Sequence, residues 1–325
     1  MALLHKINAE KKTFGDLAGI IFASALKDGA GSNRIDMVFD MYKDISIKNA
    51  ERQERSDSGV LLGSISAGQM IFRWMSILRC SSAKTAIIKF LCDEWKKPSY
   101  LTKLGGKVMY ITCQEDCFKI DREGTTYIPE LATPQEEADT RILLHAKHAS
   151  PDHEAFIVVS EATDVIILAL AFFRQTGKIY IKCGSQARIR YIDISKLGTS
   201  VGEEICEGLL GLHAFTGCDS VSAFGGRGTL SAYKLITKDK SHLDAMKQLG
   251  KQWDLSAELF TKLQQFTCRM YAAASNITDV NELRYQLFRA KKGDIGSGQL
   301  PPCADCLHLH ALRANYQAAV WRRSL

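Results

Sequence analysis

Residues 156–173, FIVVSEATDVIILALAFF, constrain the fold most strongly. A β-branched apolar run reads as a buried strand, a small cluster of Ser, Glu, Thr and Asp interrupts it, and a second apolar run resumes as a helix. Asp164 thus stands between two segments that both favour a dry environment. An ionised carboxylate beside a core is costly there unless it is paired or holds a metal. The apolar run ends at Arg174, short of the roughly 18 to 20 residues a membrane span needs, so a membrane partner is not expected.

The flanking sequence repeats this alternation of strand and helix. Phe14, Leu17, Ile21, Ala25 and Leu26 form one helical stripe before Gly29 and Gly31, and RIDMVFD reads as a short strand ending at Asp40. Residues 64–95 carry the spacing of two helices joined near CSSAK. GKVMYITC and DCFKIDREGTTYIPEL read as the strands of a hairpin, and PQEEADTRILLHAKHAS as a helix with an acidic first turn. After the opening stretch come KIYIKC and RIRYIDI as strands, then a helix around SVGEEICEGLLGLHAFTG. The pattern predicts an α/β class, with three layers and a mostly parallel central sheet. It also predicts functional groups at the carboxyl ends of the strands. A boundary is expected near Ile236, dividing a domain over residues 1–236 from a helical C-terminal region over 237–325. Both ends are abrupt, with helix at the first residues and WRRSL at the last, so a truncated chain is expected.

A chain of 325 residues that is 46% hydrophobic supplies a sizeable core. Its formal net charge of +6, from 42 basic and 36 acidic residues, permits a polyanionic partner without requiring one. Ten cysteines are scattered along the chain with no secretory leader pattern, which favours reduced thiols and an intracellular location, nuclear or cytoplasmic. There is no Walker A loop, no GxGxxG after a strand and no GxSxG elbow, so nucleotide hydrolysis, dinucleotide binding and serine hydrolase chemistry lose their usual support. His145, His148, His153 and His213 are candidate bases. For His213 a place lining a cleft and a buried, hydrogen-bonded place are both open.

Four element ends carry carboxylates: VFD at Asp40, EEAD at Glu137 and Asp139, SEATD at Asp164, and TGCDS at Asp219. Singly, each reads as a helix cap. If the fold brings them to one cleft, their repulsion calls for hard divalent cations, and an all-oxygen donor set suits magnesium or manganese. This order of motifs, followed by the Gly-rich AFGGRGTLSAYKLI, resembles the PIN-like superfamily, in particular the flap-endonuclease and XPG-type 5′ nucleases. Those proteins carry VFDG, EAEA, SxDxD and GSDY segments in the same order. The likeness spans about residues 34–236. Stretches such as EEADTR, GCDSVSAF and ANYQA are also similar to a group of uncharacterised animal proteins.

The resemblance implies a two-metal-ion nuclease acting on DNA or RNA, with Asp40, Glu137, Asp139, Asp164 and Asp219 as ligands of Mg or Mn. It implies that Lys48 and Arg55 grip the scissile phosphate. The glycines of FGGRGT would let backbone amides approach a nucleic-acid phosphate, with Arg227 and Lys234 nearby, although a plain turn before a helix fits equally. Two departures leave the ligand set short. Ala162 stands where the family has a carboxylate, which weakens the second metal position, and the family's first Asp-bearing strand, with the first metal ligand, is expected to be missing ahead of Met1. An inactive PIN-like module that binds nucleic acid or a protein partner, or a transposon-derived coding fragment, is therefore an alternative expectation. Near the end, LPPCADCLHLH offers Cys303, Cys306, His308 and His310 as a candidate zinc set, or as a helix start with Cys and His close by chance.

Overall fold

Phe14, Leu17, Ala18, Ile21, Phe22 and Ala25 recur at helical spacing and are buried along one side of helix α1 (Phe14–Asp28). A capping box opens the helix, the Thr13 side chain accepting from the Asp16 amide and the Asp16 carboxylate from the Thr13 amide, each at 3.0 Å. The computed structural model describes residues 4, 7–43, 46, 50, 62–184, 188–291, 293, 296 and 298–325. The chain divides into two compact units, Met1–His148 and Ala149–Leu325.

In the first unit, strands β1 (Arg34–Met37), β2 (Val108–Cys113), β3 (Asp116–Asp121) and β4 (Gly124–Tyr127) form one sheet in that order. β1 and β2 are parallel, and the remaining pairs are antiparallel. Only two residues separate β2 from β3 and β3 from β4, a spacing that fits hairpins and forbids parallel pairing. One sheet face carries Ile35, Met109, Ile111 and Ile120, all buried, and joins a core with α1 and α3 (Ser81–Trp95), which follows the short α2 (Trp74–Ile77). Trp95 is fully buried there, its Nε1 donating to the Ala18 carbonyl at 3.1 Å, so its one polar atom is satisfied. A short helix α4 (Pro98–Leu101) brings Tyr100 edge-on to Phe22. The opposite face presents Arg34, Asp36, Tyr110 and Thr112, and side chains of helix α5 (Ala138–Ala149) meet it.

In the second unit, β5 (Ala155–Val159) runs parallel to β6 (Lys178–Cys183), and β7 (Arg190–Asp193) pairs antiparallel with β6. The connection from β5 to β6 passes through α6 (Thr163–Ala171), which gives the chain the length a parallel crossover needs. After α7 (Ile194–Val201) comes α8 (Glu203–Thr216), buried from Cys206 onward except at Glu207. Around α8 pack α6, α9 (Thr229–Ile236), α10 (Lys240–Gln248) and α13 (Ala304–Arg322), while α11 (Ala257–Tyr271) meets α10, α12 (Val280–Ala290) and α13. Buried Asn315 of α13 accepts from the Gly250 amide and donates to the Gln252 and Trp253 carbonyls, tying down the loop after α10.

The α/β class expected from the alternation holds. The mostly parallel sheet does not describe these strands: each of the two sheets has one parallel pair, and the remaining pairs are antiparallel, in the first sheet because two-residue hairpins dictate it. The units meet in sequence at His148 and Ala149 instead of near Ile236, since the helices beyond Ile236 share a core with α8. Among the described residues no helix is long and apolar enough to cross a membrane.

Candidate functional site

Asp40 lies three residues beyond β1. Its Oδ1 accepts from the amide of Ala138, 98 residues away, at 3.0 Å, and the Met41 amide donates to the Glu136 carbonyl at 2.8 Å. The chain after β1 is thereby stitched to the entrance of α5, where Glu137 and Asp139 stand. Asp40 answers one of the unpaired amides at that helix start, the role an N-cap plays, but from the segment that follows β1, far away in sequence. Glu137 is buried and Asp139 half-buried. Thus the VFD and EEAD motifs meet in the first unit. Lys48 and Arg55 lie outside the described residues.

In the second unit, Asp164 occupies the first turn of α6, and its Oδ1 lies 2.8 Å from His213 Nε2, which donates to it. The imidazole of His213 stacks on Trp321 of α13, with centroids 5.7 Å apart and planes at 12°. Glu161 accepts from the Gly184 amide at 3.0 Å and so links the ends of β5 and β6. Asp219 is exposed in a tight turn closed by Cys218 and Val221, and its neighbour Ser220 donates to Gln317 at 2.5 Å.

The Gly-rich turn is explained by packing. A Cβ at Gly225 would lie 2.4 Å from the Gly298 Cα, and Gly226 has φ +67°. Two backbones cross at Gly225, and only glycine allows that approach. Arg227 sits over the Tyr271 ring at 5.0 Å with its Nε buried and without a hydrogen-bond partner, while Lys234 is exposed in the last turn of α9.

A polar cluster that sequence reasoning missed lies between the first unit's sheet and α5. Arg34 grips Asp36 through Nε and Nη2, both at 2.9 Å, donates to His148 Nδ1 at 3.1 Å and covers the Tyr110 ring at 3.7 Å. His145 Nδ1 donates to Asp36 Oδ1 at 2.6 Å, whereas its Nε2 is buried without a partner. Burial opposes the charge on Asp36, but the hydrogen bonds from His145 and Arg34 outweigh it and hold the carboxyl below its ordinary range. Burial, reinforced by the Arg34 charge, pushes the His148 pKa down, in keeping with a neutral ring that accepts from Arg34. Nearby Cys117 is pushed up to about 12, by burial first and then by Asp36. One turn earlier on α5, buried Arg141 donates to the Gln114 carbonyl at 2.7 Å and so fastens the β2–β3 turn. The available signal was the placement of Arg141, His145 and His148 along one side of α5, which makes a polar stripe on a buried face. His153, by contrast, meets the Ala149 carbonyl through Nδ1 and lies outside this cluster.

At the start of α13, Cys303 is the N-cap residue, half-exposed, and Cys306 is exposed. The Cys303 sulfur falls short of a full capping hydrogen bond, yet the Cys306 amide, the Cys306 thiol and the Asp305 amide lie close enough to hold its pKa below the ordinary thiol range. His310 Nε2 donates to the Phe215 carbonyl at 2.8 Å and its Nδ1 faces Ser222 Oγ at 3.3 Å. His308 instead packs edge-on against Phe260. Both ring nitrogens of His310 are therefore engaged, and the two histidines point to different neighbours. Within either unit, among the described residues, no group of three or more His, Cys, Asp or Glu is gathered closely enough to hold a metal ion. No family model, curated protein or solved structure matches the chain.

Proposed function

We propose that the chain is a PIN-like phosphodiesterase that cleaves DNA or RNA with Mg or Mn. The observation that carries this reading is the bond from the Ala138 amide to Asp40, which joins the VFD strand end to the EEAD helix entrance in the order the nuclease resemblance implies. This reading assigns metal-ligand roles to Asp40, Glu137 and Asp139 of the first unit and, separately, to Asp164 and Asp219 of the second. All donate oxygen, the donor type that Mg and Mn favour. Such ions, when bound, activate the attacking water and stabilise the departing oxygen. The chain's own residues would supply the ligands, with Arg227 and Lys234 offering positive charge to the phosphate backbone.

A second reading is an inactive module that binds nucleic acid or a protein. It is favoured by the bond between His213 and Asp164, which already gives that carboxylate a partner, and by Ala162 beside it. End-labelled single-stranded and flapped DNA and RNA, incubated with Mn and the full chain, separate the two. Cleavage that disappears in both Asp139→Asn and Asp219→Asn supports the nuclease. No cleavage by a folded wild type, together with retention of a labelled oligonucleotide in a salt-sensitive manner, supports the inactive module.

A further inference from the structure

The C-terminal helix α13 begins with a pair of thiols. Cys303 is its N-cap, with extended backbone at φ −69° and ψ 164°, and Cys306 lies in the first turn, three residues on. Residues three apart at a helix start fall within the Cα separation of about 4.4–6.8 Å that a disulfide spans, and the extended N-cap can pivot without unwinding the helix. A thiol at a helix N-cap sits beside the unpaired amides of the first turn, which favour a thiolate, and the thiolate is the form that attacks disulfides.

The surroundings suit exchange with a small partner. Cys306 is exposed, whereas the other nine cysteines are buried or half-buried. It lines a cleft of about 290 Å³ together with Phe224, Tyr271, Arg284, Leu300 and His310. Arg284, whose Nη1 donates to the Pro301 carbonyl, lends this cleft positive charge for a carboxylate-bearing partner.

We propose that Cys303 and Cys306 form a thiol–disulfide exchange site whose reaction partner is a small disulfide of the glutathione class. The Cys303 thiolate attacks one sulfur of the disulfide, forms a mixed disulfide and releases the first thiolate. Cys306, losing its proton to solvent or to that thiolate, attacks the Cys303 sulfur and releases the second. The two protein thiols are oxidised to one disulfide, and the small disulfide is reduced to two thiols. The site is independent of the nuclease reading and involves none of the residues assigned to it.

The test equilibrates the reduced full chain with glutathione buffers of rising oxidised fraction, blocks the remaining thiols by alkylation, and maps peptides by mass spectrometry. A peptide linked between Cys303 and Cys306 is expected at ratios where buried Cys92, Cys117, Cys206 and Cys268 are still reduced. Cys303→Ser and Cys306→Ser each abolish the link. Cys306→Ser leaves a glutathione adduct on Cys303, because the second step has lost its thiol. The proposal is overturned if both cysteines of the wild type remain reduced in the most oxidising buffer, or if Cys306→Ser carries its adduct elsewhere and none on Cys303. Both positions lie at the surface, so an unchanged circular dichroism spectrum separates lost exchange from lost folding.

Discussion

His213 Nε2 stands 2.8 Å from the Asp164 carboxylate, across 49 residues of sequence, and stacks on Trp321. This contact answers the question set by the strand and helix around Asp164. The carboxylate tolerates its place beside an apolar helix because α8 delivers a ring N–H to it.

Removal of the donor should therefore be felt at once. His213→Ala leaves the Asp164 carboxylate without its partner and removes the ring that packs on Trp321. The expected loss is about 2–3 kcal/mol, read as a lower urea midpoint at neutral pH. Asp164→Asn, which keeps an acceptor for Nε2, is expected to lose less. Equal losses in the two variants would show that the hydrogen bond contributes little without the carboxylate charge.

The second prediction concerns acid. Asp36 has a pKa held below its unfolded value of about 3.9, so it contributes stability that is present above that value and lost as pH falls through the folded pKa. The groups facing it are Arg34, His145 and, through Arg34, His148. Asp36→Asn should be less stable than wild type by about 3 kcal/mol at pH 7, with the gap shrinking between about pH 5 and pH 2. Urea midpoints of the two proteins across that window provide the check. A gap that stays constant would mean that the Asp36 charge is not the stabilising element.

How much of this was legible beforehand depended on range. The β2–β3 hairpin and the β5–α6 junction follow from alternation over a few residues, and both are found where the pattern put them. Asp40 reaching the start of α5 was accessible only through the order of motifs, since nothing local to VFD names a partner 98 residues away. The Asp36 and His145 pair, separated by 109 residues, left no trace of that kind. Asp36 occupies a strand position whose alternation suggests solvent, and only the docking of α5 makes it interior. The strand pairing of the two sheets was likewise hidden, because hydrophobic period reports which face is buried and is silent on which strand lies alongside.

Arg141 tests whether a buried cation serves the fold by fastening a turn. Gln114 adopts a left-handed conformation at φ +55°, and its carbonyl accepts from Arg141 at 2.7 Å. Arg141→Met retains the apolar stem but leaves that carbonyl without its donor. A cost of about 2 kcal/mol is expected, accompanied by faster amide hydrogen exchange in the hairpin residues Thr112 and Cys117 than elsewhere in the sheet. Uniform acceleration across the whole first unit would point to global destabilisation instead of a loosened turn.

Two helical glycines make opposite predictions for the same substitution. Alanine is favoured over glycine in a helix interior by about 1 kcal/mol, so helical Gly→Ala should stabilise wherever there is space. At Gly19 in α1 a new Cβ would meet only the Tyr100 hydroxyl, at 3.9 Å, and Gly19→Ala should raise the melting temperature or leave it unchanged. At Gly211 in α8 the Cβ would fall 2.1 Å from the Met246 carbonyl oxygen and 3.0 Å from its carbon. The obstacle is the backbone of α10, which cannot rotate aside as a side chain can, so the helices must separate and the contacts around them are lost. Gly211→Ala should then destabilise by about 1–3 kcal/mol despite the better propensity, as overpacked cores do. Calorimetric melting of both variants decides the matter. Should Gly211→Ala melt at or above the wild-type temperature, the close packing of α8 on α10 would have to be abandoned as the reason for glycine at that position.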